Sequence, residues 1–96
     1  MTPELRFVPG FKKDVKRIPR ALKDIVRSVH IPAIAAEPSQ GAMLIGVYAG
    51  YQSFHFHYER TQYRIAYRYD ELQNLLVFIS IATRQNFYRD MRRRLS

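Results

Sequence analysis

With 96 residues, of which 47% are hydrophobic and 14% aromatic, the chain can bury one small core, so we treat residues 1–96 as a single domain. The absence of cysteine excludes a disulfide scaffold and thiolate metal ligands, and it fits a cytoplasmic protein. Sixteen Lys and Arg against eight Asp and Glu give a formal charge of +8, which is typical of small domains that bind nucleic acid. The first residues lack the apolar core of a secretory signal, and the longest apolar runs are far below the roughly 20 residues of a membrane span.

The chain opens with a predicted strand and a first helix. Residues 5–8, Leu-Arg-Phe-Val, are a short strand candidate that Pro9-Gly10 ends. Phe11, Val15 and Ile18 then recur at helical spacing with basic residues on the other face.

A second amphipathic helix is predicted after Pro19. Its apolar stripe consists of Leu22, Ile25, Val26 and Val29. Because Pro32 disfavours helical geometry at the residue before it, this helix should stop or kink near His30.

In the second half of the chain the hydrophobic period changes from 3.6 to 2. Residues 54–58 and 63–69 alternate and predict two strands, and the apolar run 75–82 predicts a covered strand, although periodicity alone also allows a buried helix there. Phe87, Met91 and Leu95 mark a short basic C-terminal helix. The predicted fold is therefore α+β in the order βααβββα, with a small antiparallel sheet packed against two N-terminal helices.

The two alternating strands should form a hairpin with all of its chemistry on one face. If Tyr58 pairs with Tyr63, then His57 lies opposite Arg64, His55 opposite Ala66, and Ser53 opposite Arg68. The aromatic residues then face a core on the other side.

Two simpler interpretations of this polar face stay open. Arginine and histidine are acceptable on a merely solvated strand face. His55 and His57 could also begin a metal site, but zinc needs three or four ligands, and the third histidine, His30, belongs to a different element. We expect no metal and no cofactor.

The sequence resembles the RelE/ParE superfamily of small bacterial toxins from toxin–antitoxin modules. The resemblance rests on Tyr63-Arg64-Ile65-Ala66-Tyr67, on the apolar strand that leads to Ala82-Thr83-Arg84, and on Tyr88. RelE-like members are ribosome-dependent endoribonucleases that cut mRNA in the A site, whereas ParE-like members poison DNA gyrase.

By this resemblance the candidate catalytic residues are His55, His57, Arg64, Arg84 and Tyr88. The two histidines stand where RelE has lysines, which departs from a lysine-based mechanism, and the resemblance extends to relatives of RelE that use histidine or glutamate as acid–base residues. Histidine can act as acid or base near neutral pH, and arginine can stabilise the charge that develops on a phosphate. Tyr88 could stack on a base or share proton transfer.

The resemblance also implies partners. The basic residues of the first helices are candidates for binding ribosomal RNA backbone, without base recognition: Lys12, Lys13, Lys16, Arg17, Arg20, Lys23 and Arg27. A cognate antitoxin should wrap the domain with a segment that folds on binding, and the C-terminal helix is a possible docking element. A gyrase inhibitor and a non-catalytic basic RNA-binding module remain the alternative functions.

Overall fold

One five-stranded sheet, in the order β1-β5-β4-β3-β2, separates three N-terminal helices from a C-terminal helix in the computed structural model, which describes residues 1–96. The strands are β1 (Glu4–Phe7), β2 (Ala42–Met43), β3 (Gln52–Tyr58), β4 (Thr61–Asp70) and β5 (Leu75–Thr83). The helices are α1 (Pro9–Arg17), α2 (Arg20–Ile25), α3 (Ile31–Ala36) and α4 (Phe87–Leu95). The α+β class and the helix–sheet packing predicted from the sequence are confirmed.

The sheet is mixed rather than wholly antiparallel. Strands β2 to β5 pair antiparallel, as expected, but β1 pairs parallel with β5 in the register Glu4–Leu75 to Phe7–Phe78. A parallel pair requires a long crossover, and here the helices and three strands supply it. β1 and the two-residue β2 thus form the sheet edges.

The expected irregularity before Pro32 is a π-helical turn, Val26–His30, which joins α2 to α3 without ending the helix. The N–H of Ile31 donates to the carbonyl of Val26, five residues back. This wider turn contains an extra residue, so the next side chain that points toward the core comes later in the sequence. Ile31 is therefore buried and Val29 is 53% exposed. The prediction of Val29 as a core residue is wrong for this reason.

The main core lies between the sheet and helices α1 to α3. Inward side chains of the hairpin, among them Phe56, Tyr63 and Ile65, pack there against Phe11 and Leu22. As predicted, the aromatic half of the hairpin alternation faces this core.

A tyrosine hydroxyl fixes the chain where α3 gives way to the sheet. Tyr67 Oη donates to the Pro38 carbonyl (2.6 Å) and accepts from the N–H of Gly41 (2.9 Å). Burial raises the pKa of Tyr67, and a Cβ at position 41 would overlap its ring. Gly41 is thus required by the close approach of the hydroxyl.

A second, smaller core covers part of the opposite sheet face. Phe87 and Met91 of α4 are fully buried there against Ala66 and Ile79. None of the helices combines the length and the apolar character needed to cross a membrane.

Candidate functional site

The β3–β4 hairpin closes more tightly than the sequence suggested. Only Glu59 and Arg60 form the turn, and Glu59 adopts the left-handed φ of 55°. The predicted pairing of His57 with Arg64 is therefore wrong by two residues. The observed pairs are Tyr58–Thr61, His57–Gln62, Phe56–Tyr63, His55–Arg64 and Ser53–Ala66. Because side chains alternate with period 2, a shift of two residues keeps the histidines and Arg64 on one face.

Two cross-strand rows now define the site on the α4 side of the sheet. The Arg64 row consists of His55, Arg64 and Ala82. The Arg84 row consists of His57, Gln62 and Arg84, where the N–H of Arg84 donates to the Gln62 carbonyl at 2.9 Å. Side chains in adjacent rows of a strand are about 7 Å apart, so the structure brings both histidines and both arginines together.

His55 is the histidine that faces the arginines. Its Nε2 shares a hydrogen bond of 2.6 Å with the Oγ of the buried Ser53, which leaves Nδ1 free. Burial, and then the positive charges of Arg64 and Arg84, lower the pKa of His55 below its usual 6.5. At neutral pH the imidazole is therefore uncharged and able to accept a proton.

Arg64 is half-buried beneath α4. Its guanidinium carbon lies 5.6 Å from the centre of the Phe87 ring, a cation–π distance. Its Nε is buried and has no hydrogen-bond partner in the protein. A buried donor without a partner is unusual, and here it belongs to a cation that flanks His55.

Tyr88 stands at the margin of this face and is 46% exposed. Its ring lies 5.9 Å from Tyr48 and packs edge-on against Phe87 at 5.1 Å. Since Phe87 also contacts Arg64, the exposed Tyr88 and the half-buried Tyr48 form an aromatic surface beside the Arg64 row.

Helix α4 is anchored by an ion pair that the sequence did not reveal. Arg94 donates to both carboxylate oxygens of Asp14 (2.9 and 3.1 Å) and to the Ile79 carbonyl (2.7 Å). Asp14 also accepts the N–H of Ile81 at 3.2 Å. Because β1 ends at Phe7, the backbone groups of Ile79 and Ile81 on β5 have no partner strand there, and this ion pair provides their hydrogen bonds. The one signal in the sequence is a single acidic residue on an otherwise basic helix.

Most of the basic residues expected to bind RNA backbone lie on the other side of the molecule, but Arg17 lines a groove with Arg93 and Arg94 of α4. Six are exposed and Lys23 is half-buried. Four of them, Lys12, Lys16, Lys23 and Arg27, rim a groove of about 380 Å³ between α1 and α2. Helices α1 to α3 pack on the sheet face opposite to His55 and His57, so most of the helical basic residues are separated from the candidate site.

The three histidines do not meet. His30 stacks on Phe56, with ring centres 4.0 Å apart, on the helix side of the sheet. No group of three or more His, Asp or Glu side chains has an arrangement that could hold a metal ion.

Comparison with models of protein families identifies one family that matches this sequence. The family model described as "ParE-like toxin of type II bacterial toxin-antitoxin system" matches residues 5–92. A comparison with curated protein sequences finds no match.

Solved structures share the fold. The toxin–antitoxin complex RelBE2 from Mycobacterium tuberculosis contains a chain similar to this one, with a TM-score of 0.73 and 24% identity over 88% of this chain and 100% of that one. A double arginine-to-alanine mutant of the E. coli toxin RelE in the free state matches with a TM-score of 0.71 and 12% identity, over 97% of this chain and 98% of the RelE chain. A chain of the intact E. coli RelBE toxin–antitoxin complex matches with a TM-score of 0.67 and 12% identity, over 83% of this chain and 94% of that one.

Proposed function

Because this chain belongs to the family of ParE-like toxins of type II bacterial toxin–antitoxin systems, we propose that it is the endoribonuclease type of toxin, which cleaves mRNA in the A site of the ribosome. As a toxin of such a system it has a cognate antitoxin as its partner, and it is similar to chains solved in toxin–antitoxin complexes. What we propose beyond this family assignment is the cleavage reaction, with mRNA as its substrate and the ribosome as the place where it occurs.

The observation that supports this activity is the pairing of His55 with Arg64 on an accessible sheet face, with Arg84 in the next row. RNA cleaves when its 2′-hydroxyl loses a proton and attacks the adjacent phosphorus. The reaction therefore needs a base, a proton donor and a cation for the pentacoordinate state. A gyrase inhibitor that acts only by binding needs none of these groups.

His55 is the proposed base. Its Nδ1 takes the proton of the 2′-hydroxyl, O2′ bonds to phosphorus, and the bond from phosphorus to O5′ breaks. His57, about 7 Å along the same strand face, donates a proton to the leaving O5′. The products are a 2′,3′-cyclic phosphate and a 5′-hydroxyl end, and no metal takes part.

Arg64 and Arg84 are the proposed charge-stabilising groups. Because the Nε of Arg64 is buried, the outer guanidinium nitrogens are the proposed donors to the phosphate oxygens. Packing against Phe87 holds the guanidinium in place, so donation needs little reorganisation in the transition state. Tyr88 and Tyr48 would hold a neighbouring base by stacking.

The test is mRNA cleavage in a cell-free translation system, with cut ends mapped by primer extension. We expect His55→Ala to lower the cleavage rate by about 10²–10⁴ and Arg64→Ala by about 10²–10³. Arg68→Gln removes an exposed charge from the same strand and should leave the rate within about twofold.

Full cleavage by both His55→Ala and Arg64→Ala would exclude this site. If the wild-type toxin leaves mRNA intact and instead blocks supercoiling by purified gyrase, the alternative of a gyrase inhibitor replaces the proposed activity.

A further inference from the structure

A polar pocket lies beyond the Arg84 row, at the turn end of the hairpin. It has a volume of about 370 Å³ and no apolar lining residue. Its walls are the hairpin end and the segment between β5 and α4: His57, Arg60, Thr61, Gln62, Thr83, Arg84 and Gln85.

The chemistry of this pocket suits an anion. Two arginines, two threonines and two glutamines line it and no carboxylate does, although Glu59 stands in the same turn. The side chains of Arg60 and Arg84 make no ion pair or hydrogen bond within the protein. Arginine forks with neighbouring hydroxyl and amide donors are well matched to phosphate oxygens.

The pocket is continuous with the proposed reaction site. Arg84 lines it and also acts on the charge of His55, and His57 lies at the boundary of the two. Along β3 the order is His55, His57 and then Arg60. If His55 faces the 2′-oxygen and His57 the leaving 5′-oxygen, the strand that leaves with O5′ extends toward Arg60.

We propose that this pocket binds the phosphodiester next to the cleaved one on its 3′ side, with Arg60 as the principal contact. The proposal rests on the roles assigned to His55 and His57 above and adds a direction for the RNA across the sheet. It gives Arg60 a function that neither the family match nor the candidate residues include.

The experiment uses dinucleotides whose first sugar is 2′-deoxyribose, so that they bind without being cleaved. Three ligands are compared: one without a terminal phosphate, one with a 3′-phosphate and one with a 5′-phosphate. The dissociation constant is measured by NMR titration of the free ¹⁵N-labelled toxin at low salt. We expect the 3′-phosphate to tighten binding roughly tenfold and to shift the amide signals of Thr61, Thr83 and Gln85.

The matched variants are Arg60→Gln and Arg6→Gln. Each removes one exposed positive charge, and Arg6 lies on β1 at the far edge of the sheet. Arg60→Gln should abolish most of the gain from the 3′-phosphate, whereas Arg6→Gln should retain it. The 5′-phosphate has the same charge and should give little gain.

An equal gain from the 5′-phosphate, or equal behaviour of the two variants, would overturn the proposal. These measurements do not depend on the ribosome or on cleavage. A failure of the proposed activity would appear in the translation assay, and a failure of the pocket would appear in the binding constants.

Discussion

His55 is exposed on its sheet face, yet its environment opposes protonation. Partial burial comes first, followed by the charges of Arg64 and Arg84, so its pKa lies below 6.5 in the folded toxin. The unfolded chain binds this proton more readily, and the contribution of neutral His55 to stability is present above pH 6.5 and is lost as the pH falls through the folded pKa. The same shift would keep His55 in the uncharged form that its proposed role as base requires.

Arg84→Gln should raise the pKa of His55 toward 6.5, because it removes one of the two repelling charges while burial and Arg64 remain. The measurement is an NMR titration of the imidazole protons in the free toxin, with Arg6→Gln as a variant of equal charge. An unchanged or lower pKa in Arg84→Gln would show that Arg84 does not act on His55.

The sequence was sufficient to place the candidate side chains on one face, but not to decide which histidine meets Arg64. The alternation of residues 53–69 determines the face, and a shift of two residues does not change it. The register depends on the turn, and Glu59-Arg60 has no Asn-Gly or Asp-Gly signal for a two-residue turn. The closeness of Ser53 to His55 was likewise visible only in the structure, although both stand on one face of β3.

Among the elements, α4 has the most direct influence on the site, because Phe87 lies over Arg64. Two contacts hold α4 in place: the buried Phe87 and Met91 near its start and middle, and the ion pair of Arg94 with Asp14 at its end. Gly10 allows this pair, since a Cβ there would overlap the Arg94 guanidinium.

Arg94→Ala should lower the free energy of unfolding by about 2–3 kcal/mol, because it leaves a buried carboxylate without its cation. Arg93→Ala, on the same helix, removes an arginine that is 70% exposed in its pair with Asp90 and should cost less than about 0.5 kcal/mol. Urea denaturation gives both values. Hydrogen exchange should also become faster in the last turn of α4 only in Arg94→Ala. Equal losses in the two variants would contradict this role of Asp14.

Element boundaries followed from local sequence signals where those signals dominate, and failed where distant contacts decide. Pro32, near the start of α3, illustrates the difference. It predicted an irregular helix, but the π-helical turn that moves the inward position from Val29 to Ile31 depends on packing against the sheet. The parallel pairing of β1 with β5 joins segments about 70 residues apart. No local period encodes such a pairing.

At the scale of the whole molecule, most of the positive charge lies on the two sides of the sheet. One side carries Arg64, Arg84 and the arginines of α4, and the other carries the groove between α1 and α2. The sheet lies between most of these charges, although Arg17 of α1 shares a groove with Arg93 and Arg94 of α4. Under the proposed function, the substrate strand would bind the sheet face and ribosomal RNA the helices.

The double substitution Lys12→Gln/Lys16→Gln tests this division. Both lysines are exposed on α1, and their loss should weaken ribosome binding by roughly three- to tenfold at moderate salt and reduce the log–log salt slope by about 1.5. The affinity for the uncleavable dinucleotide should not change, because that ligand lies on the other side of the sheet. Lys12→Arg/Lys16→Arg keeps the charge and should behave as the wild type in both assays. If the glutamine pair instead weakens the dinucleotide as much as the ribosome, the two surfaces are one binding site.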